Sequence, residues 1–273
     1  MTLLIDVGNT RIKVGYASTH SSATLAIAHH QRAQILPWLQ AHAFTPQQAL
    51  GVCVSSAALA QEIEQLLRTI HCPTQWLDAT LPCPLVQNNY ESPQRLGADR
   101  WLALIGVLSQ HKQQQNRPII HASFGTATTI DTILPPRSAE QKAQFIGGLI
   151  LPGPKLMHDS LALNTAQLGQ GSGCTQDFPT STRAAISSGI SAAQAGAVLR
   201  QWHYTWQKHL GTPLLVCSGG GWDLIQQEMQ QAYSQFQQLH TPQLTIETVR
   251  WQPTPVLDGL NYIAQLKNQH KET

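Results

Sequence analysis

The sequence predicts an α/β protein of two domains, and three observations carry that reading. One is a pair of strand, glycine turn, strand segments, Leu3 to Gly15 and His121 to Asp131, one in each half of the chain. Another is the alternation, in both halves, of short apolar strand-like runs with longer helix-period segments, the pattern of sheets covered by helices. The third is length: 273 residues make about two domains of ordinary size and can bury a substantial core. The Gln-rich stretch Gln110 to Arg117, with Pro118 after it, reads as a loop and marks the junction. Domains are therefore expected at residues 1–115 and 116–273.

In the first half, Leu3 to Asp6, Ile12 to Tyr16 and Thr24 to His29 read as strands, followed by a short helix around Ala33 to Ala41 and a strand at Leu50 to Ser55. Ala57 to Ile70 reads as an amphipathic helix with Leu59, Ile63, Leu66 and Leu67 on one face and Ser55 or Ser56 as its cap. Trp101 to Leu108 is apolar with helical period, which puts Asp99 and Arg100 near a helix start. In the second half, Ile119 to Ser123 and Ala127 to Ile133 read as strands, Pro135 to Gln144 as a polar excursion, and the approach to Gly147-Gly148 through Leu151 as a further strand. A helix from Ala184 to about His209 carries Ala185, Gly189, Ala192, Ala193 and Gly196, small residues that let another backbone come close in domain packing or a dimer seam. Leu214 to Ser218 reads as a buried strand leading into Gly219-Gly220-Gly221, which suits either a flexible turn or a surface for adenine or ribose.

The two glycine turns carry the chemistry. Gly8 permits a backbone geometry or a ligand approach that a Cβ would block, and Asn9 and Thr10 add side-chain donors to the exposed amides, a concavity suited to an anion. Asp6 would be repelled by a bare phosphate but suits Mg²⁺ or its water shell, and Lys13 supplies positive charge nearby. Either turn alone also fits an ordinary hairpin with solvated polar residues. A second copy at Phe124-Gly125-Thr126 shifts the balance toward a nucleotide held between paired domains. Asp99 and Arg100 set a base beside a carboxylate clamp, although a helix-dipole acid with a surface ion pair would give the same spacing.

Composition excludes several alternatives. Charged residues are 12% of the chain and the net charge is +2, with Lys and Arg scattered, so no basic field for nucleic acid is expected. The seven tryptophans are not interleaved with basic residues, which argues against a single-strand stacking platform. There is no Walker-type loop and no dinucleotide glycine fingerprint. Asp6 interrupts the opening apolar run and no 18-residue apolar stretch occurs, so no membrane partner and a cytoplasmic location are expected. Five cysteines without close pairing support neither a disulfide framework nor a zinc site, and Cys53 and Cys217 read as core packing. None of the twelve histidines stands at a metal-ligand spacing; His121 and His158, near the motifs below, receive no role.

Taken together, Asp6-Val7-Gly8-Asn9-Thr10 with Lys13, Gly97-Ala98-Asp99-Arg100, Phe124-Gly125-Thr126-Ala127-Thr128-Thr129, Gly147-Gly148-Leu149-Ile150-Leu151-Pro152-Gly153, Thr182 ahead of Ala185-Ile186-Ser187-Ser188-Gly189, Ser218-Gly219-Gly220 and Pro255-Val256-Leu257-Asp258-Gly259-Leu260 resemble the blocks of type III pantothenate kinases, in the same order and over nearly the whole chain. The wording around Ala122-Ser123-Phe124 and Gly196 to Trp202 is most similar to the Bvg accessory factor branch. The resemblance implies two domains of the acetate and sugar kinase, Hsc70 and actin superfamily with ATP in the cleft between them. It implies phosphorylation of pantothenate to 4′-phosphopantothenate, the first step of coenzyme A synthesis.

By the same resemblance, Asp6, Val7, Gly8, Asn9, Thr10, Arg11, Ile12 and Lys13, with Gly125 and Thr126, would bind ATP and its phosphates, and Asp6 would support Mg²⁺, through water or directly. Asp99 would activate the acceptor hydroxyl, and Tyr90, Gly97, Ala98, Asp99, Arg100 and Thr182 would contact pantothenate. Thr182 would reach that site from a partner subunit, so a homodimer is implied. Many members carry an aspartate where this chain has Ser123, and that acid helps hold K⁺ or NH₄⁺; a hydroxyl is a poorer cation ligand, which puts monovalent-cation dependence in doubt. A kinase of the same superfamily with another acceptor and a non-enzymatic regulatory accessory protein are the competing readings. The intact Gly97 to Arg100 block argues against the first, and the intact Asp6, Asp99 and Thr126 against the second.

Overall fold

A computed structural model describes the whole chain except residues 19–22, 115, 139, 165–172, 210 and 273, with side chains also undescribed at 164, 209 and 270–272. The chain divides into two compact units, Met1–Gln113 with Thr254–Thr273, and Gln114–Pro253.

In the first unit, β1 (Thr2–Val7), β2 (Arg11–Tyr16) and β3 (Leu25–Ala28) form an antiparallel meander. A 3-10 turn (His29–Gln34) and α1 (Ile35–Ala41) follow, so the helix expected at Ala33 is split and begins earlier, with the Gln31 side chain accepting from the Ala28 amide at 3.1 Å. Beyond β4 (Gln48–Cys53), α2 (Ala57–Arg68) is capped by Ser56, whose Oγ accepts the Leu59 N–H at 3.2 Å. Its Leu59, Ile63 and Leu67 are buried. The short strands β5 (Thr74–Trp76) and β6 (Val86–Asn88) precede α3 (Ala98–Gln110). The sheet order is β3-β2-β1-β4-β5, with β4 and β5 joined parallel. All six residues of the central strand β1 are buried, because neighbours flank it and both faces are covered.

The two faces are covered differently. Leu3, Ile5, Val7, Ile12 and Val14 point into a core shared with α1 and α2. The alternate residues of β1, Leu4 and Asp6, point to the other face. Alongside α3, that face is covered by α7 (Pro255–Glu272), which packs on α3 and β1. A Cβ at Gly106 would strike the Pro255 carbonyl oxygen and one at Gly259 the Leu102 carbonyl oxygen, so these two glycines let the helices touch through their backbones. The domain expected at 116–273 is corrected by this contact: the chain leaves the second unit at Pro253 and its last helix completes the first.

The second unit repeats the topology. Strands β7 (Ile119–Phe124), β8 (Ala127–Leu134) and β9 (Ala143–Pro152) form the meander; α4 (Pro154–Asn164) and α5 (Thr182–His209) lead to β10 (Leu214–Ser218); α6 (Trp222–His240) leads to β11 (Arg250–Trp251). From β9 the order runs β8, β7, β10, β11, with the last two joined parallel. Trp202 of α5 and Tyr233 of α6 anchor its core against Ala122, Phe124 and Cys217 of the sheet. This is the two-unit α/β architecture expected, with one strand order written twice.

Candidate active site

The first hairpin brings Asp6 and Lys13 opposite each other in register across β1 and β2. Asp6 is buried, and burial, reinforced by the negative charge of Asp99, raises its carboxyl from 3.8 to about 6 against the opposing effect of Lys13. The Gly8 N–H donates to the Arg11 carbonyl at 3.0 Å and closes the turn, leaving Asn9, Thr10 and Arg11 exposed. The Gly8 carbonyl oxygen lies 2.9 Å from Nε2 of His29. Val7 and Ile12 are fully buried in the core, so what these two can offer a ligand is backbone.

Asp99 occupies the first turn of α3, with Gly97 at the cap. The Arg100 N–H donates to Asp99 Oδ1 at 2.8 Å, and a Cβ on Gly97 would lie 2.7 Å from that same oxygen, so the glycine makes room for the carboxylate. Burial raises the Asp99 carboxyl above the usual aspartate range despite this hydrogen bond and the Arg100 charge. A surface acid that complemented the helix dipole would be lowered instead. Arg100 is buried, its guanidinium 5.9 Å from the centroid of the Tyr90 ring. Tyr90 is half-buried and its N–H donates to Asn88 Oδ1 at 3.0 Å. The first unit thus gathers Asp6, Lys13 and Asp99, with Arg100 and Tyr90 beside Asp99.

In the second unit the β7–β8 turn exposes Gly125 and Thr126, with the Gly125 N–H donating to the Ala127 carbonyl at 3.1 Å. Two further loops hold it. The Gly153 N–H donates to the Thr126 carbonyl at 2.9 Å and the Gly221 N–H to the Phe124 carbonyl at 2.8 Å. Gly219 sits at φ +98°, and a Cβ there would strike the Phe124 backbone; one on Gly153 would strike the Gly125 carbonyl oxygen. The support of the turn by Gly153 and Gly219 was not legible in the sequence, because the signal was only their presence in separate blocks. Thr182 begins α5 and is exposed. His121 is a buried sheet residue whose Nε2 lies 3.0 Å from Ser218 Oγ. Among the described residues no three His, Cys, Asp or Glu side chains group as a metal cage.

Residues 2–204 match the model of the type III pantothenate kinase family. The chain belongs to that family. It is 39% identical over 272 residues to the type III pantothenate kinase of Bordetella pertussis and 40% identical over 267 residues to that of Bordetella petrii, covering 97% of each chain in both comparisons. A solved structure of a Baf family protein from Campylobacter jejuni is similar in fold, with a TM-score of 0.57 at 16% identity over 98% of this chain and 99% of that one. Within the type III pantothenate kinase family match fall both hairpins, Asp99 and Thr182; β10, the Gly219 to Gly221 loop and α7 lie beyond it and are covered by the Bordetella relatives.

Proposed function

We infer that this chain transfers the terminal phosphoryl group of ATP to the primary hydroxyl of pantothenate, giving ADP and 4′-phosphopantothenate, the first step of coenzyme A biosynthesis. The observation that carries the residue roles is the pairing of Asp6 with Asp99, two carboxyls both raised by burial, beside Lys13. Phosphoryl transfer asks the protein mainly to position reactants and neutralise charge, and a raised carboxyl is suited to take a hydroxyl proton near neutral pH. Asp99 accepts the proton of the acceptor hydroxyl. Arg100, whose guanidinium lies near the Tyr90 ring, pairs with an anionic group of pantothenate. Lys13 offsets charge on the transferring phosphoryl, and the Asn9 amide of the first turn, with Thr126 of the second, takes phosphate oxygens.

The donor set fits Mg²⁺. Mg²⁺ keeps several waters and is held by one or two carboxylates plus substrate phosphates, and Asp6 is one hard oxygen ligand whose buried charge a cation would relieve. When bound, the ion neutralises phosphate charge. A homodimer is supported by exposed apolar and small side chains on the second unit: Ile150 is 62%, Leu163 85% and Phe178 90% exposed, and Gly189, Ala192, Ala193 and Gly196 line an open stripe of α5. Thr182, exposed at the start of that helix, is placed to serve a second copy. The free state of all five cysteines, and the absence among the described residues of any helix long and apolar enough to cross a membrane, support a cytoplasmic location. The residues around Ser123 support the Bvg accessory factor branch and, with a hydroxyl in place of an acid, weak dependence on K⁺ or NH₄⁺.

An ADP-release assay with pantothenate beside other small hydroxy acids tests the reading. Turnover with pantothenate alone is expected; equal rates with unrelated hydroxy acids, or none with pantothenate, would overturn it.

A further inference from the structure

We infer that His29 is a positioning residue for the β1–β2 turn, holding one backbone amide in the orientation that a phosphate oxygen requires. The inference rests on reading that turn as a phosphate seat. His29 follows directly on β3, whose Ala28 is in register with Arg11 at the far side of the turn, so the meander itself carries the imidazole back to the turn mouth. Its Nε2 lies 2.9 Å from the Gly8 carbonyl oxygen. A carbonyl only accepts, so that nitrogen carries a hydrogen, and the ring donates in both its neutral and its protonated form.

The consequence follows from peptide geometry. The Gly8–Asn9 bond is trans, as are all peptide bonds among the described residues, so its C=O and N–H point in opposite directions. Holding the Gly8 carbonyl toward the imidazole therefore turns the Asn9 N–H the other way. The Gly8 N–H is already used by the Arg11 carbonyl, and among the described residues no protein acceptor takes the Asn9 N–H. Gly8 lacks a side chain to hinder rotation of this peptide, so an external hold is what sets it. The histidine is itself fixed. Its carbonyl accepts from Arg32 Nη1 at 3.4 Å, and Arg32 Nε is paired with Glu62 of α2 at 2.8 Å.

The test compares His29→Leu, His29→Gln, His29→Asn and Gly8→Asp in the full chain, by calorimetry with ADP and by steady-state kinetics in both substrates. His29→Leu is expected to weaken ADP and raise the KM for ATP by about tenfold, the scale of one lost hydrogen bond together with its misaligned partner, while the KM for pantothenate stays put. His29→Gln, which can reach with an amide N–H, should recover most of the loss; His29→Asn, which is shorter, should not. Gly8→Asp places a carboxylate in the turn and should abolish ADP binding. Unchanged ADP affinity in His29→Leu, with loss in Gly8→Asp, would overturn the role of His29 and leave the phosphate turn standing. Unchanged affinity in both would overturn the turn reading too. Equal rises in both KM values with a lowered Tm and no recovery in His29→Gln would show a structural histidine and overturn the proposal.

Discussion

The two units place different chemistry at the same point of one topology. In each, the central strand runs into a glycine turn and back along an antiparallel partner, with a parallel strand on its other side. One residue before the end of the strand stands Asp6 in the first unit and Ser123 in the second; across the hairpin Asp6 faces Lys13, and Ser123 faces Thr129. The first hairpin is charged and backed by a second acid, Asp99, on α3. The second carries hydroxyls and is held by glycine contacts from Gly153 and Gly219. A repeated scaffold can therefore divide the labour, with titrating groups at one hairpin and neutral backbone donors at the other.

Removing the acid that only the first unit has should produce the largest effect. Asp99→Asn should fold and bind ATP while turnover falls by about 10² to 10⁴, the usual contribution of a positioned base. Near-parental turnover at saturating pantothenate would remove Asp99 from the chemistry and erase much of the contrast.

Asp6→Asn tests the equivalent positions directly. Turnover with Mg²⁺ should fall by about 10 to 100-fold, the range for losing a carboxylate that supports a metal, whereas Ser123→Ala should change it far less. Stability should move the other way. Because burial raises the Asp6 carboxyl to about 6, the native state holds that proton more firmly than the unfolded chain; the favourable contribution is complete below 3.8 and is lost as pH rises through about 6. At pH 7.5 without nucleotide, Asp6→Asn should therefore be more stable than the parent by on the order of 2 kcal/mol, and the advantage should vanish in acid. Denaturant titrations at the two pH values decide the matter, and a destabilised variant at pH 7.5 would refute it.

Arg100→Ala should raise the KM for pantothenate by roughly 10 to 100-fold, the scale of a lost hydrogen bond to a charged group. A rise confined to the KM for ATP would assign Arg100 to the other substrate.

On the second unit, Gly219→Ala should cost about 1 to 3 kcal/mol, because a Cβ is forced at φ +98° against the Phe124 backbone. Urea unfolding measures it, and an unperturbed midpoint would mean that the hairpin does not depend on this glycine. Ser123→Asp makes the second hairpin more like the first and should have the smallest effect. It should lower the rate without K⁺ and recover it as K⁺ is added; a flat titration would show that Ser123 has no part in cation binding.

Much of this was legible in the chain itself. The strands of both meanders, the Ser56-capped helix and the start of α3 followed from local pattern, because apolar period and capping residues act within a few positions of one another. So did the grouping of Asp6 with Lys13, since a short hairpin fixes which residues face each other. What the tertiary structure decided came from distant segments. The α7 helix joins the first unit because Gly106 and Gly259, far apart in sequence, let two helices touch. The Asp6 carboxyl is raised because α3 and α7 cover a strand face that local pattern leaves open, and Asp99, on α3 itself, is raised by burial as well. Burial depends on which elements cover a residue, and short-range pattern carries no record of that, so the sequence by itself determined the turns and the acids while the fold decided how deeply those acids are buried.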